Sequence, residues 1–201
     1  MPGARLLVAS SNAGKVAEFR ELAGRCAGAM RVDALPDFDR RPAFDESAET
    51  FAENAAGKAL HYSRGISEYV LADDSGLVVP ALGGEPGVRS SRYAGPEGDA
   101  KKNIAKLLAA LAGRAGADRG ARFVCVLALA RAQRVLAVVS AAVAGTILEA
   151  PRGNGGFGYD PVFYYQPLGK TFAELAPAEK NRISHRGLAF EKLAAFLEEA
   201  P

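Results

Sequence analysis

The run Arg5-Leu-Leu-Val-Ala9 is apolar without alternation. That is the pattern of a strand buried on both faces. Polar Ser10-Ser-Asn-Ala-Gly14 follows, and Val16, Phe19 and Leu22–Ala23 then recur at helical spacing. The order is strand, loop, helix. Arg31–Leu35 offers a second strand and Pro36–Pro42 a loop. Ser47 is a candidate cap for a helix reaching Ser63, with Phe51, Ala55, Ala59 and Tyr62 as its apolar stripe. Tyr69–Ala72 predicts a buried strand ending at Asp73-Asp-Ser-Gly76, where Gly76 would let the chain turn away.

Leu77–Pro96 is rich in Gly and Pro and predicts an ordered, irregular excursion. Asp99 is placed to cap a helix over Ala100–Ala112, and Arg114–Gly120 predicts a flexible turn. Arg122–Ala130 and Arg134–Gly145 predict a long hairpin joined at Arg131–Gln133. A glycine-rich loop, a short strand Pro161–Tyr164, a loop ended by Pro177 and a helix Gly187–Glu199 complete the chain. Alternating strands and helices followed by a hairpin predict an α/β fold with a mixed central sheet flanked by helices.

Composition narrows the classes without choosing one. A chain of 201 residues predicts one domain over 1–201, or one domain with a lobe. It is 49% hydrophobic and 24% charged, a globular balance rather than a disordered one. A net charge of +2 does not make the basic stripe of a nucleic-acid binder, so no nucleic acid is expected as partner. The longest apolar runs are strand length, so no membrane partner is expected either. Cys26 and Cys125 lack CxxC or His neighbours at metal spacing and read as small hydrophobes. With no N-terminal signal pattern, the expected location is cytoplasmic.

Candidate chemistry lies in three places. Ser10, Ser11, Asn12, Ala13, Gly14 and Lys15 stand between a strand and a helix start, where backbone N–H groups, hydroxyls and one ammonium favour an anion. The segment is not a P-loop, because GxxxxGK[ST] is absent. Simple helix capping explains it equally. Asp73 and Asp74 sit at the carboxyl end of a buried strand, where α/β sheets bind ligands. Adjacent carboxylates there fit Mg²⁺, which bridges to substrate phosphates, or a general base. Glu46, Asn54 and Lys58 are spaced at multiples of four, so they are either a solvated helix face or neighbours of that metal site.

The third place is Gly153–Asp160, which packs four glycines, Phe157, Tyr159 and Asp160 into eight residues. Such glycine density admits close approach of backbone to a ligand. The rings can stack on a planar group, and Lys180, His185 and Arg186 downstream supply cations. A tight turn before a charged helix start accounts for the same residues. His61 has no partner pattern and reads as structural.

In order, the segments SNAGK (11–15), FAENA (51–55) with Lys58-Ala59, ADDSGL (72–77), LGGEPG (82–87), SRY (91–93), GGFGYDP (155–161) and SHRG (184–187) resemble one family: the inosine/xanthosine triphosphate pyrophosphatases. The resemblance spans nearly the whole chain. It implies an elongated, two-lobed single domain with a central cleft, a homodimer, and Mg²⁺-dependent hydrolysis of dITP, ITP and XTP to the monophosphate and pyrophosphate.

Residue by residue, it implies that Ser10–Lys15 hold phosphates, with Lys58 near them. Asp74 is implied as general base and metal-side carboxylate, with Glu46 and Asp73 completing the metal set, and Ser75 as a substrate contact. Phe157, Gly158, Tyr159, Asp160, Lys180, His185 and Arg186 would hold the nucleotide and its base. Two departures stand out. The family's first motif usually opens Thr-Gly-Asn or Thr-Ser-Asn, where this chain has Ser10-Ser11-Asn12, which keeps the hydroxyl. The acidic motif is shortened to DESAET (45–50), leaving Asp45 and Glu46 as competing metal ligands.

The nearest alternative enzyme is a pyrophosphatase for modified pyrimidine or methylated nucleotides, against which the GGFGYDP and SHR segments speak. A non-catalytic nucleotide or nucleic-acid binder is the alternative outside enzymes. The balanced charge and intact DDSG weigh against it.

Overall fold

A computed structural model describes residues 4–26 and 30–199. One seven-stranded sheet runs in the order β2-β1-β3-β4-β5-β6-β7. The chain divides into two compact units, the first comprising 1–74, 125–141 and 186–201, the second 75–124 and 142–185.

In the first unit, β1 (Arg5–Val8) pairs in parallel with β2 (Arg31–Ala34) on one side and with the start of β3 (Tyr69–Val78) on the other. Helix α1 (Ala13–Ala23) packs Val16, Phe19 and Leu22 onto Leu6, Val8 and Leu71. Phe190 and Leu193 of α5 (His185–Glu199) join the same core, where the Phe190 ring lies 5.7 Å from that of Phe19. Leu6, Leu7 and Val8, which alternate between the two faces of β1, are all buried, as the lack of alternation predicts.

Helix α2 (Phe51–Tyr62) begins later than expected. Thr50, not Ser47, is its cap: the Thr50 hydroxyl accepts from the Glu53 N–H at 3.2 Å and donates to the Glu53 carboxylate at 2.8 Å. Thr50-x-x-Glu53 places an acid at the third helical position, whereas Ser47 has Thr50, not an acid, three residues on. The larger correction concerns β3. It does not stop at Asp73 but runs ten residues to Val78, so Asp73-Asp-Ser-Gly76 is strand interior, not a loop.

The second unit holds α3 (Ala100–Ala110), whose cap Asp99 accepts from the N–H groups of Lys101 and Lys102 as expected. The turn expected at Arg114–Gly120 is a pinned 3₁₀ segment. The buried Arg119 guanidinium donates to the carbonyls of Leu111, Ile147 and Leu148. β4 (Gly120–Arg131) and β5 (Arg134–Ile147) meet at Ala132 and Gln133, both left-handed, the backbone a two-residue hairpin needs.

β6 (Phe163–Tyr165) and the short β7 (Lys170–Thr171) extend the sheet by antiparallel pairing. The loop ends at Pro177 as expected, but a helix follows at once. Pro177 opens α4 (Pro177–Ile183), with the Glu179 carboxylate accepting from the Ala176 N–H at 3.0 Å. Proline at the first helical position removes a donor that has no helical partner anyway.

Candidate active site

The first unit carries the polar loop and the carboxylates. The Asn12 side chain caps α1 by accepting from the Lys15 N–H, and Ser10 Oγ accepts from the Asn12 N–H at 3.1 Å. Gly14 fits because a Cβ there would stand 3.1 Å from Asn12 Oδ1. Ser11 to Gly14 are exposed, so this helix start is open to an anion. Ser10 and Ser11 also line a cavity of about 480 Å³, together with Arg20, Phe38 and Arg40. Asp74 and Glu46 are not among its walls, so that cavity is not where the carboxylate chemistry lies.

Because side chains alternate along a strand, Asp73 and Asp74 point to opposite faces of β3. Asp73 Oδ2 accepts from Lys15 Nζ at 2.8 Å and from Arg186 Nε at 3.3 Å, and Oδ1 accepts from the Cys125 thiol at 3.5 Å. Both of its oxygens are engaged by side chains of the protein. Asp74 is different. Its Oδ2 is buried with no hydrogen-bond partner among the described residues. Burial is the main force raising its carboxyl to about 6; a hydrogen bond from Asn54 opposes the rise, and the charges of Glu46 and Asp73 add to it.

Glu46 is ion-paired to Lys58. Glu46 lies outside the helix that carries Lys58, so a shared helix face does not account for the pair. Among the described residues no three His, Cys, Asp or Glu side chains form a ready metal cage. The donor set instead resembles that of Mg²⁺, which takes one or two carboxylates and leaves the rest to water and phosphate. The orphaned oxygen on Asp74, with Glu46 beside it, fits such a cation.

Arg186 lies in this unit and is 2% exposed. Besides Asp73, it donates through Nη1 to Glu18 Oε2 at 2.8 Å. Its fork is occupied, so the geometry does not present it to a nucleotide. Glu18, a residue the motifs do not single out, is buried in the middle of α1. The signal for it was available: an acid among Val16, Phe19 and Leu22 on a helix that must pack demands a buried cation as partner.

The second unit carries the glycine loop. Gly153 (φ 82°) and Gly156 (φ 68°) occupy left-handed backbone in close quarters: added Cβ atoms would meet Ala173 backbone at 2.6 Å and Asp160 Oδ2 at 2.1 Å. The tight turn folds Asp160 back onto its own loop. Asp160 Oδ2 accepts from the Phe157 N–H at 2.8 Å and from Lys180 Nζ at 2.6 Å. Lys180 Nζ also lies 4.7 Å from the Phe157 ring centroid. Phe157 itself is 40% exposed, an aromatic face held over a buried ion pair.

Tyr159 plays another part than stacking. It is buried, and its hydroxyl donates to the Ser90 carbonyl at 2.9 Å; burial raises its phenol well above the ordinary range. The imidazole of His185 is buried parallel to Phe123, with centroids 4.7 Å apart. Ser75 is half-buried on β3. His61 bonds the Pro42 carbonyl at 2.8 Å and packs on Phe44 and Tyr62, in keeping with a structural role.

Comparison with known proteins bears on this arrangement. The model of the Ham1 family matches residues 6–196. A dITP/XTP pyrophosphatase of Geobacillus kaustophilus is 54% identical over 194 residues, covering 96% of this chain and 94% of that protein. One from Gloeobacter violaceus is 52% identical over 94% of this chain and 91% of its own length. Among solved structures, a HAM1 protein from Coxiella burnetii superposes with a TM-score of 0.86 at 42% identity, covering 98% of this chain and all of that one. The Staphylococcus aureus Ham1 protein gives 0.84 at 39% identity, covering 96% and 98%. With matches of this extent in sequence and in structure, the chain belongs to the Ham1 family.

Proposed function

We propose that this protein hydrolyses deaminated purine nucleoside triphosphates (dITP, ITP and XTP) to the monophosphate and pyrophosphate, keeping aberrant purines out of DNA and RNA. It is a nucleoside triphosphate pyrophosphatase, a hydrolase of phosphoric anhydrides. The observation that carries this reading is the 54% identity, across 96% of the chain, to a protein named dITP/XTP pyrophosphatase.

The phosphates meet the exposed helix start at Ser11–Gly14 and the Lys15 ammonium. Asp74 and Glu46 would hold Mg²⁺, while Asp73 is engaged by Lys15 and Arg186. When bound, Mg²⁺ offsets charge on the phosphoryl oxygens and on the departing pyrophosphate. Asp74 orients water and takes its proton as the water oxygen attacks phosphorus and the α,β bridge opens. Lys15 neutralises the leaving anion.

Base selection falls to the second unit's loop. Phe157 stacks on the purine, and the ammonium of Lys180 beside it donates to the 6-oxo oxygen. Adenine presents an amino group there and leaves that donor unmatched. Lys180 supports this better than Arg186, whose fork is filled, or His185, whose ring is stacked on Phe123.

The protein is expected to work as a cytoplasmic homodimer. No helix among the described residues is long and apolar enough to cross a membrane. The test is pyrophosphate release with Mg²⁺ from ITP, dITP and XTP against ATP, GTP and dUTP. Preference for the first three over ATP by two orders of magnitude or more is expected, roughly the discrimination that an unmatched buried donor gives. Equal rates on ATP, or no turnover of ITP, would overturn the reading.

A further inference from the structure

Lys15, Asp73, Arg186 and Glu18 form a chain of alternating charges inside the first unit, with links of 2.8, 3.3 and 2.8 Å. Apart from the Lys15 side chain, at 21%, every member is at most 8% exposed. The last link is costly for folding. Glu18 desolvates a carboxylate, and its Oε1 is buried with no partner among the described residues. A buried ion pair replaced by well-packed neutral groups is often no less stable, so stability alone does not explain the glutamate.

Geometry gives Glu18 another task. The guanidinium of Arg186 is a planar fork that would take a single neighbouring carboxylate with two parallel bonds. Here Glu18 holds Nη1, and Nε donates to Asp73 at the longest distance of the three links. Asp73 Oδ2 is shared between Arg186 Nε and Lys15 Nζ, and Lys15 is the most exposed member. We propose that Glu18 is a positioning residue for the phosphate-binding lysine: by restraining Arg186 it keeps Asp73 oriented toward Lys15. This rests on the reading that Lys15 meets the triphosphate. Without the Glu18 charge, Arg186 turns its fork onto Asp73 and Lys15 loses the partner that sets its direction.

The test compares Lys15→Ala, Glu18→Gln and the charge-neutral pair Glu18→Gln/Arg186→Gln. It reads KM and kcat for ITP, inhibition by inorganic pyrophosphate, and thermal midpoint. Glu18→Gln is expected to raise KM and the pyrophosphate inhibition constant together by roughly tenfold, the scale of a lost charge-assisted hydrogen bond. kcat should change far less. The double variant is expected to return both constants toward wild type, because the competing fork is gone.

Loss of kcat with unchanged KM in Glu18→Gln, or effects that simply add in the double variant, would overturn the proposal. If Glu18→Gln does not fold, the double variant decides alone: near-normal pyrophosphate inhibition supports the role and weakened inhibition sinks it. A Lys15→Ala variant with normal KM and inhibition would remove the underlying reading of Lys15. A weakened Lys15→Ala beside a normal Glu18→Gln would remove only the positioning role.

Discussion

Lys180 Nζ lies 2.6 Å from Asp160 Oδ2, and both side chains are more than nine-tenths buried. Two desolvated ions rarely stabilise a fold over neutral residues, while breaking such a pair from one side is severe. Asp160→Ala strands the ammonium and removes the acceptor of the Phe157 N–H. It should cost about 3–5 kcal/mol in denaturant unfolding. Asp160→Asn/Lys180→Met should recover much of that loss, yet lose the preference for ITP over ATP. Stability and selectivity then separate in one pair of residues. A double variant that kept the preference would remove Lys180 as base reader.

Phe157 and Tyr159 are two residues apart and should behave oppositely. The Phe157 ring is 40% exposed, so Phe157→Ala should move unfolding stability little. Losing a stacked base should raise KM for ITP by roughly 10-fold or more, from about 1–3 kcal/mol per stacked base. Tyr159→Phe deletes a buried hydroxyl and leaves the Ser90 carbonyl short of a donor. That should cost about 1 kcal/mol of stability, with KM near normal. Steady-state kinetics and urea titration on both variants would expose a reversed pattern.

The loop glycines predict a graded series. A methyl at Gly156 would fall 2.1 Å from Asp160 Oδ2 on backbone at φ 68°, so Gly156→Ala must displace the carboxylate that holds Lys180. Gly158 has similar backbone, φ 60°, but nothing within 4 Å of an added Cβ. Gly158→Ala should therefore cost only the left-handed strain, about 1–2 kcal/mol. Gly156→Ala should lose more stability and lower kcat/KM for ITP as well. Equal effects at the two positions would mean that Asp160 does not depend on the turn.

Much of this was legible before the structure. The unalternating runs at Arg5–Ala9 and Tyr69–Ala72 mark buried strands. Asp99 marks its helix, and Arg131–Gln133 marks the hairpin. The differences between sequence pattern and structure share a cause: polar residues resemble punctuation in the sequence. Asp73-Asp-Ser-Gly76 looked like the end of a strand because charge seldom lies inside one. It lies inside β3 because Lys15 and Arg186, from distant parts of the sequence, neutralise Asp73. Ser47 has the side chain of a cap, but Thr50 has the acid three residues on. Arg186 stands near Lys180 and His185 in sequence, yet it donates to Glu18 and Asp73, 168 and 113 residues away. Motif spacing records which residues belong together in sequence. It does not record which face of a strand each one serves.

Alternation on β3 also fixes how the protein should answer pH and metal. Asp74 faces away from the cations that hold Asp73, and burial raises its carboxyl from an ordinary 3.8 to about 6. Between those values the metal-free native state binds a proton that the unfolded chain does not, so stability falls as pH rises through the interval. The penalty is complete above about pH 6 and absent below about pH 4, a difference on the order of 2–3 kcal/mol. Metal-free wild type should therefore gain on Asp74→Asn as pH drops from 7 to 4. Mg²⁺ requires the ionised carboxylate, so its stabilisation of wild type should be greatest above pH 6 and fade below it. Asp74→Asn should lose that stabilisation at every pH, together with at least about a hundredfold in kcat. Thermal midpoints across pH, with and without Mg²⁺, measure the stability effects, and steady-state kinetics on ITP measure the rate. A metal effect as large at pH 5 as at pH 8, or a near-normal rate in Asp74→Asn, would place both the base and the cation elsewhere.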